Sequence, residues 1–143
     1  MRFKGHCQCG NIEIAWSLID TSLVPRACQC SYCLAKGAAY LSKNGSNVEV
    51  TIAKQDLHKI HLQGDHIAQF HECGFCKDLV FVSAMINDQQ YCAINYHNLD
   101  KREQFPEPIP SDFTALSKEQ SLERWQQHWC NLKWIEYKEK GKA

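Results

Sequence analysis

The sequence predicts a mainly β fold, with antiparallel strands that carry cysteines at their turns and one helix towards the C-terminal end. Three observations lead there. Apolar and polar residues alternate in "NIEIAW" and "VEVTI", the period of a half-buried strand. The unbroken apolar run "LVFVSAM" suits a buried strand. After Leu99 the composition shifts, and the pattern changes from short alternating runs to helical spacing.

In the first strand pattern Ile12, Ile14 and Trp16 face one way, against Glu13 and Ala15. "SKNGSN" is a loop by composition. Val48, Val50 and Ile52 then form the apolar face of "VEVTI". "LHKIHL" and "HIAQF" flank Gln63-Gly64-Asp65, which reads as a hairpin turn. "LVFVSAM" is followed by the turn-like "NDQQ" and a further strand at "YCAIN". "DKREQFPEPIPSD" holds three of the four prolines and reads as irregular. In "SKEQSLERWQQHWCNL", Ser117 and Gln120 match a capping box, and Leu122, Trp125, Trp129 and Leu132 recur at helical spacing, a face to be packed on the sheet. The tail "KEKGKA" reads as a solvated end. The division expected is a zinc-binding β domain over 1–100, then a proline-rich linker and helical extension over 101–143 packed on the same domain.

The 143 residues suffice for one domain with a proper core. Sixteen basic residues balance sixteen acidic ones, so no net field would draw a polyanion, which argues against a nucleic-acid partner. No apolar run approaches the ~20 residues of a membrane span, and the charged start "MRFKGHCQCG" does not resemble a signal segment. The sequence therefore reads as cytoplasmic, without a membrane partner.

Nine cysteines need an explanation in a compartment that keeps thiols reduced. Seven fall in tight groups: Cys7 with Cys9, Cys28 with Cys30 and Cys33, and Cys73 with Cys76. Such grouping points to a soft metal, zinc first. Cys92 and Cys130 stand alone and read as buried apolar fillers. Cys7/Cys9 and Cys73/Cys76 make one pair of pairs, leaving Cys28, Cys30 and Cys33 with one another. Pairing Cys28/Cys30 with Cys73/Cys76 is also chemically reasonable.

"GHCQCGNIEI", "CQCSYCLAKGAAY", "CGFC" and "INYHNLD" resemble, in that order, the glutathione-dependent formaldehyde-activating enzyme family, which includes centromere protein V. The resemblance runs from about Gly5 to Asp100. It implies a β-tent of small coiled antiparallel sheets with zinc knuckles. It also implies two zinc ions: a structural one on Cys7, Cys9, Cys73 and Cys76, and a catalytic one on Cys28, Cys30 and Cys33. The implied reaction is that of a carbon–sulfur lyase, adding the thiol of glutathione to formaldehyde. The chain departs from the family pattern at Gln29, where a histidine is usual, at Leu34, where an arginine is common, and at Lys77, where glycine is frequent. None of these removes a ligand, although the missing arginine takes away a cationic partner for the carboxylates of glutathione.

The expected partners are thus a small thiol such as glutathione and a small aldehyde, and the expected catalytic residues are Cys28, Cys30 and Cys33. That zinc should have no fourth protein ligand. Gln29, Ser31 and Tyr32 are the nearest groups in sequence that could orient an oxyanion. His6 and His71 adjoin metal-site cysteines, as supporting groups or an alternative fourth ligand, and the other five histidines read as non-ligands. The rival reading is a non-catalytic zinc-binding protein-interaction module.

Overall fold

The computed structural model describes residues 2–17, 20–62, 67–112 and 116–136. Its chain is mainly β. β1 (Arg2–His6) and β2 (Ile12–Ser17) form a hairpin. β3 (Arg26–Cys28) leads into the short helix α1 (Ser31–Lys36), and β4 (Ala39–Leu41) returns antiparallel to β3. β5 (Asn47–Ile52) pairs with β2. β6 (His58–Leu62), β7 (Gln69–Cys73), β8 (Leu79–Ile86) and β9 (Gln89–Asn95) form an antiparallel series. β10 (Ile109–Ser111), α2 (Lys118–His128) and β11 (Cys130–Ile135) complete the described elements.

The alternating patterns do what their period requires. Ile12, Ile14 and Trp16 are buried in β2, as are Val48, Val50 and Ile52 in β5, and they share one core with Phe3, Phe81 and Ile94. The indole of Trp16 donates to Ser46 Oγ at 2.9 Å, so its one polar atom is satisfied inside. In β8 all but Met85 are buried, in keeping with the unbroken apolar run. Gly5 of β1 has a packing reason: a Cβ there would stand 2.6 Å from the carbonyl oxygen of Asn98.

β9 is where the sheet forks. One edge pairs with β8 along its length. The other is shared, with Tyr91 and Cys92 facing β11 and Ile94 and Asn95 facing β4. One branch runs through β11 to β5, β2 and β1, and the other through β4 to β3 and β10. A second apolar cluster, with Cys33, Tyr40, Phe70, Val82 and Tyr91, lies on the face opposite the first.

Two sequence expectations are corrected beyond Leu99. The helix does not continue to Leu132: it ends at His128, with Trp129 as its C-cap, and Cys130–Ile135 is a strand. "CNLKWI" has period two as well as helical spacing. The unpaired edges of β5 and β9 settle which period is used, because β11 supplies hydrogen bonds to both, parallel to β5 and antiparallel to β9. The proline-rich stretch is not wholly irregular either, since Ile109–Ser111 pairs parallel with β3. Pro110 is tolerated because β10 ends the strand order and leaves one edge unpaired.

The capping box at Ser117 and Gln120 forms with both of its hydrogen bonds. Leu122, Trp125 and Trp129 pack on the second apolar cluster, the two tryptophan rings stacked at 4.7 Å. β6 and β7 pair as the hairpin reading requires, but the turn at Gln63-Gly64-Asp65 lies outside the described residues, as does the tail from Lys138. No helix among the described residues is long and apolar enough to cross a membrane.

Because β11 bridges two branches, a chain ending at His128 should lose cooperative unfolding. Near-ultraviolet circular dichroism with a thermal melt checks this; a sharp transition in the truncated chain would show β11 to be dispensable.

Candidate metal centres and the three-cysteine site

Cys7 and Cys9 sit on the tight turn between β1 and β2. Gly10 closes that turn at φ +82°, a conformation that disfavours any side chain. Gly10 N donates to Cys7 O at 2.9 Å, and Ile12 N donates to Cys7 Sγ at 3.4 Å. Cys73 ends β7, and Cys76 follows on a turn in which Lys77 N donates to Cys73 O at 2.8 Å. The two turns meet, and the sulfurs of Cys7, Cys9, Cys73 and Cys76 all lie within 4.8 Å of one another.

Four sulfurs held tetrahedrally at about 2.3 Å from a zinc ion stand about 3.8 Å apart. Here Cys7 and Cys9 Sγ are 3.7 Å apart, and Cys9 and Cys73 Sγ 3.4 Å. A disulfide would need about 2.05 Å, and all of these cysteines are free. Burial pushes the Cys7 thiol up to about 12, with the Cys9 and Cys76 thiols adding to the rise against the Ile12 hydrogen bond. Left to themselves the four sulfurs resist ionisation, and a divalent cation is what would make four thiolates tolerable. The donor set fits zinc.

Lys77 takes the left-handed conformation, φ +69°, that explains why glycine suits this place. Its ammonium donates to Gly74 O at 2.8 Å and helps to hold the turn.

Cys28, Cys30 and Cys33 form the second cluster, with their sulfurs also within 4.8 Å of one another. Their spacing works because the chain changes from strand to helix between them. Cys28 ends β3, Cys30 is the N-cap of α1, and Cys33 lies in its first turn. Cys30 Sγ accepts from Cys33 N at 3.4 Å, in the role a serine oxygen usually plays. Gly37 stops the helix at φ +65°. Cys28 Sγ donates to Cys30 Sγ at 3.6 Å, close to the same tetrahedral edge. The Cys33 hydrogen bond lowers Cys28 to about 6, while Cys33, bonded to Cys28 and buried, is pushed up. One proton is thus shared between them. Among the described residues no fourth Cys, His, Asp or Glu completes this cluster.

Residues that the motif reading passed over support it. Tyr40, on β4 and buried, places its hydroxyl 3.3 Å from Cys33 Sγ. Tyr32 donates its hydroxyl to Glu72, which also pairs with Lys36 Nζ at 3.2 Å. The Tyr32 ring lies flat on His61 at 4.0 Å and edge-on to Phe70 at 4.9 Å. Burial, and then Glu72, raise the Tyr32 phenol. Gln29 turns its amide to Ala27 O at 2.8 Å. Tyr40 stands inside the quoted "CQCSYCLAKGAAY" and Glu72 immediately before Cys73, but nothing in their spacing distinguishes them from strand residues.

The histidines are accounted for. His6 Nδ1 donates to Cys7 O at 2.7 Å, and its Nε2 is 3.1 Å from Asp100 Oδ1. His71 is buried flat against Phe81, its nitrogens 2.8 Å from His58 Nε2 and 2.7 Å from Ser83 Oγ. Burial, and then His58, hold it neutral at about 3. Neither belongs to a cysteine cluster. Cys92 and Cys130 face each other across β9 and β11, wholly buried.

A family model described as "Glutathione-dependent formaldehyde-activating enzyme" matches residues 2–115. A crystal structure of a Rhodobacter sphaeroides protein is similar in fold, with a TM-score of 0.59 and 23% identity over 76% of this chain and 99% of that one. No curated protein matches the chain.

Two outcomes follow from the four-sulfur geometry. Cys73→Ser should lower the metal content by about one ion per chain and reduce the melting temperature; mass spectrometry under native conditions and calorimetry read both. Lys77→Gly should stabilise the fold by up to about 1 kcal/mol, a rise of a few degrees, by relieving the left-handed conformation. An unchanged or lower melting temperature would mean that the Lys77 ammonium contact outweighs the backbone cost.

Proposed function

The chain belongs to the glutathione-dependent formaldehyde-activating enzyme family, and from that premise we propose that it is a zinc-dependent carbon–sulfur lyase, joining a small thiol to a small aldehyde at Cys28, Cys30 and Cys33. The observation that supports this reading most is the three-sulfur cluster with no fourth protein ligand among the described residues. In the same reading Cys7, Cys9, Cys73 and Cys76 hold a structural zinc. Glutathione and formaldehyde are the substrates that the family's description suggests. The cytoplasm, where thiols stay reduced, is the compartment such a protein needs.

Bound at Cys28, Cys30 and Cys33, zinc would supply a position at which an incoming thiol gives up its proton at neutral pH. The residues of the chain supply the rest. Three thiolates overcompensate a divalent charge, so an added sulfur keeps much of its nucleophilicity. The Tyr40 hydroxyl steadies Cys33, the most deeply buried of the three. In the reaction the sulfur lone pair forms the S–C bond, the carbonyl π pair moves to oxygen, and the thiol proton is returned to that oxygen. No net proton or electron is exchanged. Tyr32 sits on the same helical turn as Cys30 and Cys33 and is hydrogen-bonded to Glu72, so the pair is placed to carry that proton.

The test is the rate of adduct formation from glutathione and formaldehyde, followed by exchange NMR above the uncatalysed rate. The wild-type protein should accelerate it, and Cys30→Ser should fall to background while melting closer to wild type than Cys73→Ser does. No acceleration by protein carrying both ions would overturn the lyase and favour the interaction module. Tyr40→Phe should weaken metal retention at the three-cysteine cluster by roughly 10- to 100-fold while the four-cysteine cluster keeps its ion. Competition with a chelating dye reads the two sites separately.

A further inference from the structure

Two arginines converge on the three-cysteine cluster from elements that are distant in sequence. Arg26 lies two residues before Cys28 on β3, and strand alternation puts both on one face. Its cross-strand partner is Tyr40, whose hydroxyl contacts Cys33. Arg26 Nη2 donates to Ser42 Oγ at 2.9 Å, which holds the guanidinium over that face. The second cation comes from α2. Leu122 and Trp125 pack on the cluster formed by Cys33 and Tyr40, and Cys28 and Cys30 pack on it too. Arg124 lies between them in sequence and is half-buried. Arg26 and Arg124 act on each other electrostatically, and Arg124 also acts on Cys28. Burial, and then the charge of Arg26, lower Arg124 to about 10, and burial lowers Arg26. Asp112, next to the Ser111 that pairs with Cys28, is the acidic group that acts on Cys28 from the other side.

Two partly desolvated guanidiniums in mutual reach are unfavourable unless an anion joins them. The thiolates of Cys28, Cys30 and Cys33 would spend their charge on a bound cation. We propose that Arg26 and Arg124 form a carboxylate-binding subsite beside the three-cysteine cluster, so that the thiol substrate is an acidic one. The planar guanidinium presents paired N–H groups that match a carboxylate's two oxygens. This subsite rests on the lyase reading above. It also extends it, because Arg124 lies beyond the residues that the family model matches. A C-terminal element particular to this chain would then select the substrate.

The experiment compares glutathione, which carries two carboxylates, with 2-mercaptoethanol, which carries none, each with formaldehyde. Arg124→Gln should raise KM for glutathione about tenfold, the loss expected for one charge-assisted hydrogen bond, and leave KM for 2-mercaptoethanol unchanged. Arg124→Lys, which keeps the charge without the fork, should fall between. Equal effects on both thiols, or none on glutathione, would overturn the subsite. If the wild-type protein turns over neither thiol, the lyase reading fails by itself. Calorimetric titration with S-methylglutathione, which has no thiol to react, then decides the subsite separately. Binding that weakens about tenfold in Arg124→Gln upholds it, and equal binding or none refutes it.

Discussion

Four sulfurs from two turns, with Cys9 and Cys73 separated by 64 residues, meet within the radius of one ion. The rest of the fold is arranged around that meeting. The first turn ends the β1–β2 hairpin, and the second joins β7 to β8, so the contact ties together strands that no backbone hydrogen bond connects directly. Sulfur is what makes the junction self-consistent. Thiols gathered in a buried place resist ionisation, as the raised Cys7 shows, and a soft cation reverses that penalty. The backbone adapts to the geometry, through Gly10 on one side and the left-handed Lys77 on the other.

The three-cysteine cluster is built on a different principle. It does not join remote segments; it exploits a change of secondary structure over six residues. Cys28 projects from a strand, Cys30 caps a helix with its sulfur, and Cys33 points inward from the first turn. Remote segments contribute instead to what surrounds it: Tyr40 on Cys33, Glu72 on Tyr32, and His61 and Phe70 against the Tyr32 ring. The four-sulfur cluster is well suited to hold the sheet, and the three-sulfur cluster to present an edge to small molecules.

The C-terminal segment belongs to both the sheet and the site. β11 enters between β5 and β9 and completes the fork. α2 lays Leu122, Trp125 and Trp129 on the cluster that carries Cys33. Their connection is abrupt, because Trp129 caps the helix and the next residue, Cys130, is already in the strand. One segment therefore couples the hydrogen bonding of the sheet to the wall of the site.

Local chemistry was readable from the chain alone wherever neighbouring residues decide the outcome. Period-two alternation placed Ile12, Ile14, Trp16, Val48, Val50 and Ile52 inside, and the Ser117–Gln120 capping box set the start of α2. Cysteine spacing separated seven clustered thiols from the buried pair Cys92 and Cys130. Spacing alone left open which cysteines meet, and only the convergence of two turns in space puts Cys7 and Cys9 with Cys73 and Cys76. The same limit explains the misread end of α2. "CNLKWI" satisfies both periods, and the choice falls to strand because β5 and β9 each have an edge that needs hydrogen bonds, a demand made outside the segment. Tyr40, Glu72, Arg26 and Arg124 were unmarked for the same reason. Each is an ordinary strand or helix residue until folding sets it beside a sulfur, a phenol or another charge.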